Sequence, residues 1–205
     1  MSYLNPQKQR AESINSFGKN AFFTEYNQQG MLSHTIKSPQ FHHYEPSNNS
    51  KSTHTTITIY SSQSPTPWII TADNADHQSS QKILILKDNV VGKQISIDKK
   101  RQTHLSTSRI TYHTQSQIIN CPNTTKITRF TKNKSTPTET FYSQMASFDI
   151  KDQSSKCSNV SGKIDVSKDP KKTDIWTIQA EHAEWTKENN EIAFTGNVHF
   201  KHIDT

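Results

Sequence analysis

The feature that most constrains this chain is an internal repeat. The segment Trp68–Val90 aligns without a gap with the segment Trp176–Val198, at an offset of 108 residues. Trp, Ile, Ala, Asn and Val recur at matching positions, and the acids Asp73 and Asp76 recur as glutamates. Such a repeat indicates that one supersecondary unit is used several times, which favours a stacked architecture.

Two further copies fit between the outer ones. Apolar residues recur at steps of 35, 36 and 37 residues in two parallel series. The first series opens a strand in each unit and consists of Ile70, Leu105, Phe141 and Ile178. The second lies in the following strand and consists of Leu86, Cys121, Cys157 and Phe194. We therefore predict four units of about 36 residues, which must stack because a single unit cannot bury its apolar face.

Each unit consists of short strands. Apolar and polar residues alternate with a period of two, as in Trp68–Ala72, and turn clusters such as Asp76–Gln81 separate the runs. Residues i and i+2 share a face of a strand, so Leu84 and Leu86 are predicted to point inward together. The class is all-β, and only Asn5–Gly18 would suit a short polar helix or a tether.

Composition supports a sheet that is buried on one face. Only 30% of the 205 residues are apolar and the mean hydropathy is -0.87, which predicts a thin core. The net charge of +6 favours anionic partners. Nucleophile and phosphate-binding motifs are missing, and His42–His43 and His199/His202 lack the spacing of metal ligands, so we predict no enzyme, no cofactor and no metal site.

Two features allow alternative interpretations. Cys121 and Cys157 are 36 residues apart, like equivalent buried core positions, but a cross-strand disulfide in an oxidising compartment would fit the same spacing. Basic and aromatic residues interleave in Lys126–Phe130, as on a nucleic-acid-binding sheet. No ribonucleoprotein motif accompanies them, and we predict no nucleic-acid partner.

Three stretches of the first half of the chain form a recognisable pattern, and they are Tyr26–His34 (YNQQGMLSH), Phe41–Tyr44 (FHHY) and Pro67–Ala75 (PWIITADNA). Together they resemble the LptC family, the periplasmic bridge component of the lipopolysaccharide exporter. The likeness covers about residues 22–166 and is strongest before Val91. Residues from Trp176 onward are similar instead to the opening repeat of the LptA/OstA family.

This resemblance implies an open β-jellyroll whose two facing sheets hold the acyl chains of lipid A in an apolar interior. It implies that the chain receives lipopolysaccharide from the inner-membrane Lpt ABC transporter and passes it to LptA, which docks by edge-to-edge strand pairing. We predict a polar tether over residues 1–21, a jellyroll over 22–166, a joint over 167–172 and an LptA/OstA-like repeat over 173–205. The predicted groove residues are Ile70, Ala72, Leu84, Leu86, Ile119, Ile178, Ile192 and Phe194.

The family likeness also implies a Gram-negative periplasm and an N-terminal anchor in the inner membrane. No apolar run of this chain approaches the roughly 20 residues that span a bilayer, so the anchor is expected outside it. The alternative function is a non-catalytic envelope scaffold, a β-repeat module whose interior is a closed core.

Overall fold

The computed structural model describes residues 11–95, 101–131, 136–167, 174–186 and 191–204. A short 3-10 turn, Ser79–Gln81, is accompanied by thirteen strands. The strands are β1 (Ser13–Tyr26), β2 (Leu32–Glu45), β3 (Asn49–Ser61), β4 (Ser64–Gln78), β5 (Ile83–Ile95), β6 (Arg101–His113), β7 (Ile118–Cys121), β8 (Thr125–Thr131), β9 (Glu139–Asp149), β10 (Ser154–Asp165), β11 (Asp174–Thr186), β12 (Glu191–Thr195) and β13 (His199–Asp204).

All thirteen strands belong to one antiparallel sheet. The pairing runs from β1 through β7 in chain order and continues through β9, β10, β11 and β12. Strand β8 pairs with the first half of β6 and β7 pairs with its end. In the same way, β13 pairs with the first half of β11 and β12 pairs with the second half. The all-β prediction is therefore confirmed, with one hydrogen-bonded sheet in place of two separate ones.

The register of the sheet confirms the repeat. One inward-facing row crosses the sheet through successive cross-strand pairs, and it consists of Phe23, Ile36, Ile57, Ile70, Gly92, Leu105, Ile127, Phe141, Gly162, Ile178 and Phe200. The four predicted strand openers occupy this single row. The row begins earlier than predicted, at Phe23 on β1, and β2 and β3 form an additional unit.

Each of the four predicted units bends at one point, where an asparagine lies. Asn89 has a φ of 49° and Asn197 a φ of 44°, a left-handed conformation that asparagine tolerates better than most residues. Each donates a side-chain N–H to the acid of the preceding strand, Asp73 or Glu181. The two middle units keep this hydrogen bond with other acceptors, in the pairs Asn123–Ser108 and Asn159–Gln144. The repeated acids Asp73 and Glu181 therefore accept hydrogen bonds that stabilise the bend.

The bends fold the sheet into two facing layers. We call residues 21–38, 56–71, 91–106, 125–143, 160–179 and 199–204 the first layer, and residues 13–19, 40–53, 74–87, 109–121, 145–158 and 181–195 the second layer, each within the described ranges. Rings from strands that are not neighbours meet between the layers, such as Trp68 and Phe148, whose centroids are 5.7 Å apart. His34 and Tyr112 meet at the same distance, 5.7 Å. The interior is the space between the layers, as the jellyroll prediction requires.

The predicted N-terminal tether is wrong where the structure describes it. Strand β1 begins at Ser13 and pairs with β2 as far as Tyr26. Residues 1–10 lie outside the described part. Residues 168–172 of the predicted joint also lie outside it. Strand β11 pairs with β10 along its length, so the C-terminal repeat continues the sheet.

Candidate functional site

A cavity of about 590 Å³ lies between the layers toward the C-terminal end of the sheet. Its volume falls within the range of about 300–1,000 Å³ that is usual for ligand pockets. Its apolar lining comes from both layers and consists of Trp68, Ile127, Phe130, Phe141, Phe148, Ile150, Cys157, Val160, Ala183, Trp185, Ile192 and Phe194.

Two glycines allow large side chains to lie flat along the first layer. A Cβ on Gly162 would lie 2.2 Å from Cδ1 of Phe141, and one on Gly92 would lie 2.7 Å from Cγ of Leu105. Both partners are buried, so each glycine leaves room for the side chain paired beside it. The ring of Phe141 reaches across toward Phe194, at a centroid distance of 6.1 Å, and forms part of the cavity wall.

The rim of the cavity is polar. Arg129 and Glu139 are a cross-strand pair on β8 and β9, and Nη1 of the arginine lies 3.1 Å from Oε2 of the glutamate. The guanidinium of Arg129 also lies 5.5 Å from the ring centroid of Trp185, in the opposite layer. About a third of each charged side chain is exposed, so the pair is partly shielded from water. The cavity therefore combines an apolar interior with a charged opening.

The two cysteines are free thiols. Both pair with Ala146, from the two sides of β9, so two strand spacings of about 4.8 Å separate their Cα atoms. A disulfide needs Cα atoms within about 7 Å, so the disulfide alternative does not fit this register. Burial raises the pKa of Cys121 to about 12, and it raises the pKa of Cys157 as well. Both behave as small buried side chains.

A second cavity of about 280 Å³ lies at the N-terminal end, and both polar and apolar residues line it. His34 is almost fully buried there, with Nε2 3.5 Å from a carboxylate oxygen of Glu25 on the edge strand. His77 lines the same cavity. Burial lowers the pKa of both histidines, and the Glu25 carboxylate opposes that effect. These residues are predominantly neutral near pH 7.

The eight predicted groove residues divide into three groups. Leu84 lines the N-terminal cavity, and Ile192 and Phe194 line the C-terminal one. The remaining five are at most 5% exposed in a closed core between the cavities, and they are Ile70, Ala72, Leu86, Ile119 and Ile178. Their inward orientation agrees with the sequence pattern. Contact of all eight with a lipid stays a prediction.

Sequence reasoning missed the charged rim. The basic and aromatic pattern groups Lys126 and Arg129 as one surface, but Lys126 stacks on Tyr142 on the outer face while Arg129 points into the cavity. Their spacing of three residues places them on opposite faces of a strand. Arg129 lies two residues after the buried Ile127, so the two side chains share a face of the strand. This spacing would have identified Arg129 as the residue that points inward.

The two tryptophans of the repeat have different environments. Trp68 is 6% exposed, whereas Trp176 is 39% exposed and stacks on His202 at a centroid distance of 4.6 Å. Phe200, on the adjacent β13, is also exposed and shares the inward face with Trp176. The C-terminal end therefore presents an apolar surface on the inner side of the first layer.

Comparisons with known proteins identify one family. Residues 2–153 match the family model described as LptC: Lipopolysaccharide-assembly, LptC-related. The search of curated proteins finds no match. No helix in the described ranges is both long and apolar enough to cross a membrane. The family match ends before Asp174, so the LptA/OstA assignment of residues 173–205 stays a prediction. The chain belongs to the LptC family, whose members are periplasmic and take part in lipopolysaccharide transport.

Proposed function

We propose that this chain is a non-catalytic bridge protein that holds lipopolysaccharide between its two layers. The acyl chains lie in the C-terminal cavity, where burial of apolar surface favours them. The observation that supports this proposal is the combination of twelve apolar lining residues with the Arg129–Glu139 rim. An amphiphile would leave its polar head at such a rim.

In the same proposal, lipid enters from the inner-membrane Lpt ABC transporter and leaves toward LptA. The exposed apolar surface of Trp176 and Phe200 supports a docking site for LptA at the C-terminal end. A partner jellyroll that adds strands beside β12 and β13 would cover these side chains and prolong the interior. Tethering to the inner membrane by an N-terminal anchor belongs to the same proposal.

Site-specific photo-crosslinking tests the location of the lipid. Phe141 and Tyr142 are adjacent on β9 but differ in exposure, since Phe141 is 7% exposed and Tyr142 is 45% exposed. A photo-reactive residue at Phe141 should crosslink lipopolysaccharide in purified protein, and one at Tyr142 should not. Equal crosslinking at both positions, or none at Phe141, would contradict the proposal.

Transfer to LptA needs a separate measurement. Lipid-loaded chain mixed with purified LptA should transfer lipopolysaccharide, and Trp176→Lys should slow the transfer without lowering lipid loading. Ile69→Lys serves as the matched control, because Ile69 is exposed to a similar degree, 43% against 39%, but lies on the outer face of the first layer and does not line the cavity. Loss of loading in Trp176→Lys would place that tryptophan in the lipid site instead.

The envelope scaffold with a closed core remains the second candidate. The five groove residues in the closed core favour it, since a scaffold needs no open space there. Under this alternative neither Phe141 nor the closed-core position Leu86 would crosslink lipid.

A further inference from the structure

The rim of the C-terminal cavity is arranged to recognise an anion. We propose that Arg129 binds the phosphate group of the bound amphiphile and that Glu139 is the counter-ion that the phosphate displaces. This inference rests on the proposed lipid-binding function and names the chemical group that gives it selectivity. The ligand class is a phosphorylated, multiply acylated amphiphile.

The position of Arg129 in its row supports this role. Proceeding along β8 from the bend, Thr125 and Ile127 are buried, and Arg129 is the next inward residue. The apolar row through Ile127 and Phe141 therefore lies deeper, and the Arg129–Glu139 pair lies beside it toward the strand ends. An amphiphile with its chains against Ile127 and Phe141 would place its head group at Arg129.

Arg129 is held firmly in this position. Thr138 donates both its backbone N–H and its hydroxyl to the carbonyl oxygen of Arg129, at 2.8 Å and 3.1 Å. On the opposite layer, the ring of Trp185 lies beneath the guanidinium. Pre-organisation of this kind lowers the entropy lost when a planar guanidinium binds an oxyanion.

Glu139 explains how the cationic rim is tolerated when the cavity holds no lipid. A partly buried guanidinium without a counter-ion is costly, and the single carboxylate of Glu139 neutralises it. A phosphate monoester offers three acceptor oxygens and more than one negative charge near pH 7. It is the stronger partner for a bidentate guanidinium, whereas Glu139 itself repels any approaching anion.

The test compares two lipids and three variants. The lipids are lipid A with both phosphates and the same lipid after removal of both. The variants are Arg129→Gln, Glu139→Gln and the matched control Lys126→Gln, which removes the same charge from the outer face of the same strand. Dissociation constants are measured at equilibrium, and thermal unfolding confirms that each variant is folded.

Wild-type protein and Lys126→Gln should prefer the phosphorylated lipid by roughly tenfold, the usual effect of one hydrogen bond to a charged group. Arg129→Gln should lose this preference and keep its affinity for the dephosphorylated lipid. Glu139→Gln should bind the phosphorylated lipid more tightly, because the competing carboxylate is gone. Inorganic phosphate should compete only weakly.

Three results would overturn the inference. Arg129→Gln could keep the wild-type phosphate preference, Glu139→Gln could weaken binding of the phosphorylated lipid, or inorganic phosphate could bind as tightly as the lipid. The proposed function fails in a different way, if wild-type protein binds neither lipid. The two failures are therefore distinguishable.

Discussion

Substitution of Gly162 tests whether the cavity wall depends on the packing of Phe141. In Gly162→Ala the new Cβ would lie 2.2 Å from Cδ1 of Phe141, 2.8 Å from its Cε1 and 2.9 Å from the carbonyl oxygen of Thr140. Contacts this short cannot persist, so the ring must move. The cavity is the free space that adjoins it, because Ile127 is buried on the other side of the ring.

The expected loss of stability follows from the cost of overpacking a strand pair. Inserting one methyl group into a filled site costs about 1–3 kcal/mol. For a chain of this size, about 2–4 °C per kcal/mol gives a midpoint lower by roughly 2–12 °C. The displaced ring also occupies part of the cavity, so the affinity for lipopolysaccharide should fall.

Denaturant unfolding and lipid binding are measured for Gly162→Ala, for Gly162→Ala with Phe141→Leu, and for the control Gly18→Ala. The smaller leucine should recover part of the lost stability, and the two substitutions should be non-additive. A methyl group added at Gly18 would meet no atom within 4 Å, so this substitution should change stability by no more than about 0.5 kcal/mol. Unchanged stability and binding in Gly162→Ala would refute this account of the cavity wall.

Three further predictions concern the histidines, the bend and the thiols. Because burial lowers the pKa of His34 and His77 below the ordinary 6.5, the unfolded chain binds more protons, and the free energy of unfolding should fall as the pH drops below 6.5. His77→Gln should flatten this dependence, and an unchanged slope would contradict the assignment. Asn89→Ala should cost about 1–2 kcal/mol in denaturant unfolding, through the left-handed backbone and the lost hydrogen bond to Asp73, and Asn89→Gly should cost less. Cys121 and Cys157 should resist alkylation at pH 8 until the protein is unfolded, and mass spectrometry should find no internal disulfide after oxidation of the native protein.

Much of the fold could be predicted because the sequence shows both the alternation of apolar and polar residues and the repeat of about 36 residues. Ile70, Leu105, Phe141 and Ile178 are identified by spacing alone and share one cross-strand row. The sequence pattern did not reveal the unit of β2 and β3, because its second strand has polar residues where the other units have the recurring apolar residue. Ser52 occupies the row position that Leu86 holds in the next unit. A polar side chain in that place leaves no hydrophobic signal.

The candidate site could be predicted only in part. Alternation shows which side chains point inward, but not whether the opposite layer touches them. Leu86 and Phe194 are equivalent in the repeat, yet Leu86 is fully buried in the core and Phe194 lines a cavity. The difference depends on how far apart the layers lie, which is a property of the whole sheet. The Arg129–Glu139 pair likewise depends on the register of β8 against β9.

The most direct test of the central claim locates the acyl chains against individual methyl groups. Protein with isotope-labelled isoleucine and valine methyls is mixed with lipopolysaccharide, and nuclear Overhauser effects to acyl protons are recorded. Ile127, Val160 and Ile192 line the cavity, and Ile69, which is 43% exposed on β4, is the control. The account predicts acyl contacts at the three cavity residues and none at Ile69. Contacts at Ile69 alone, or at none of the four, would contradict it.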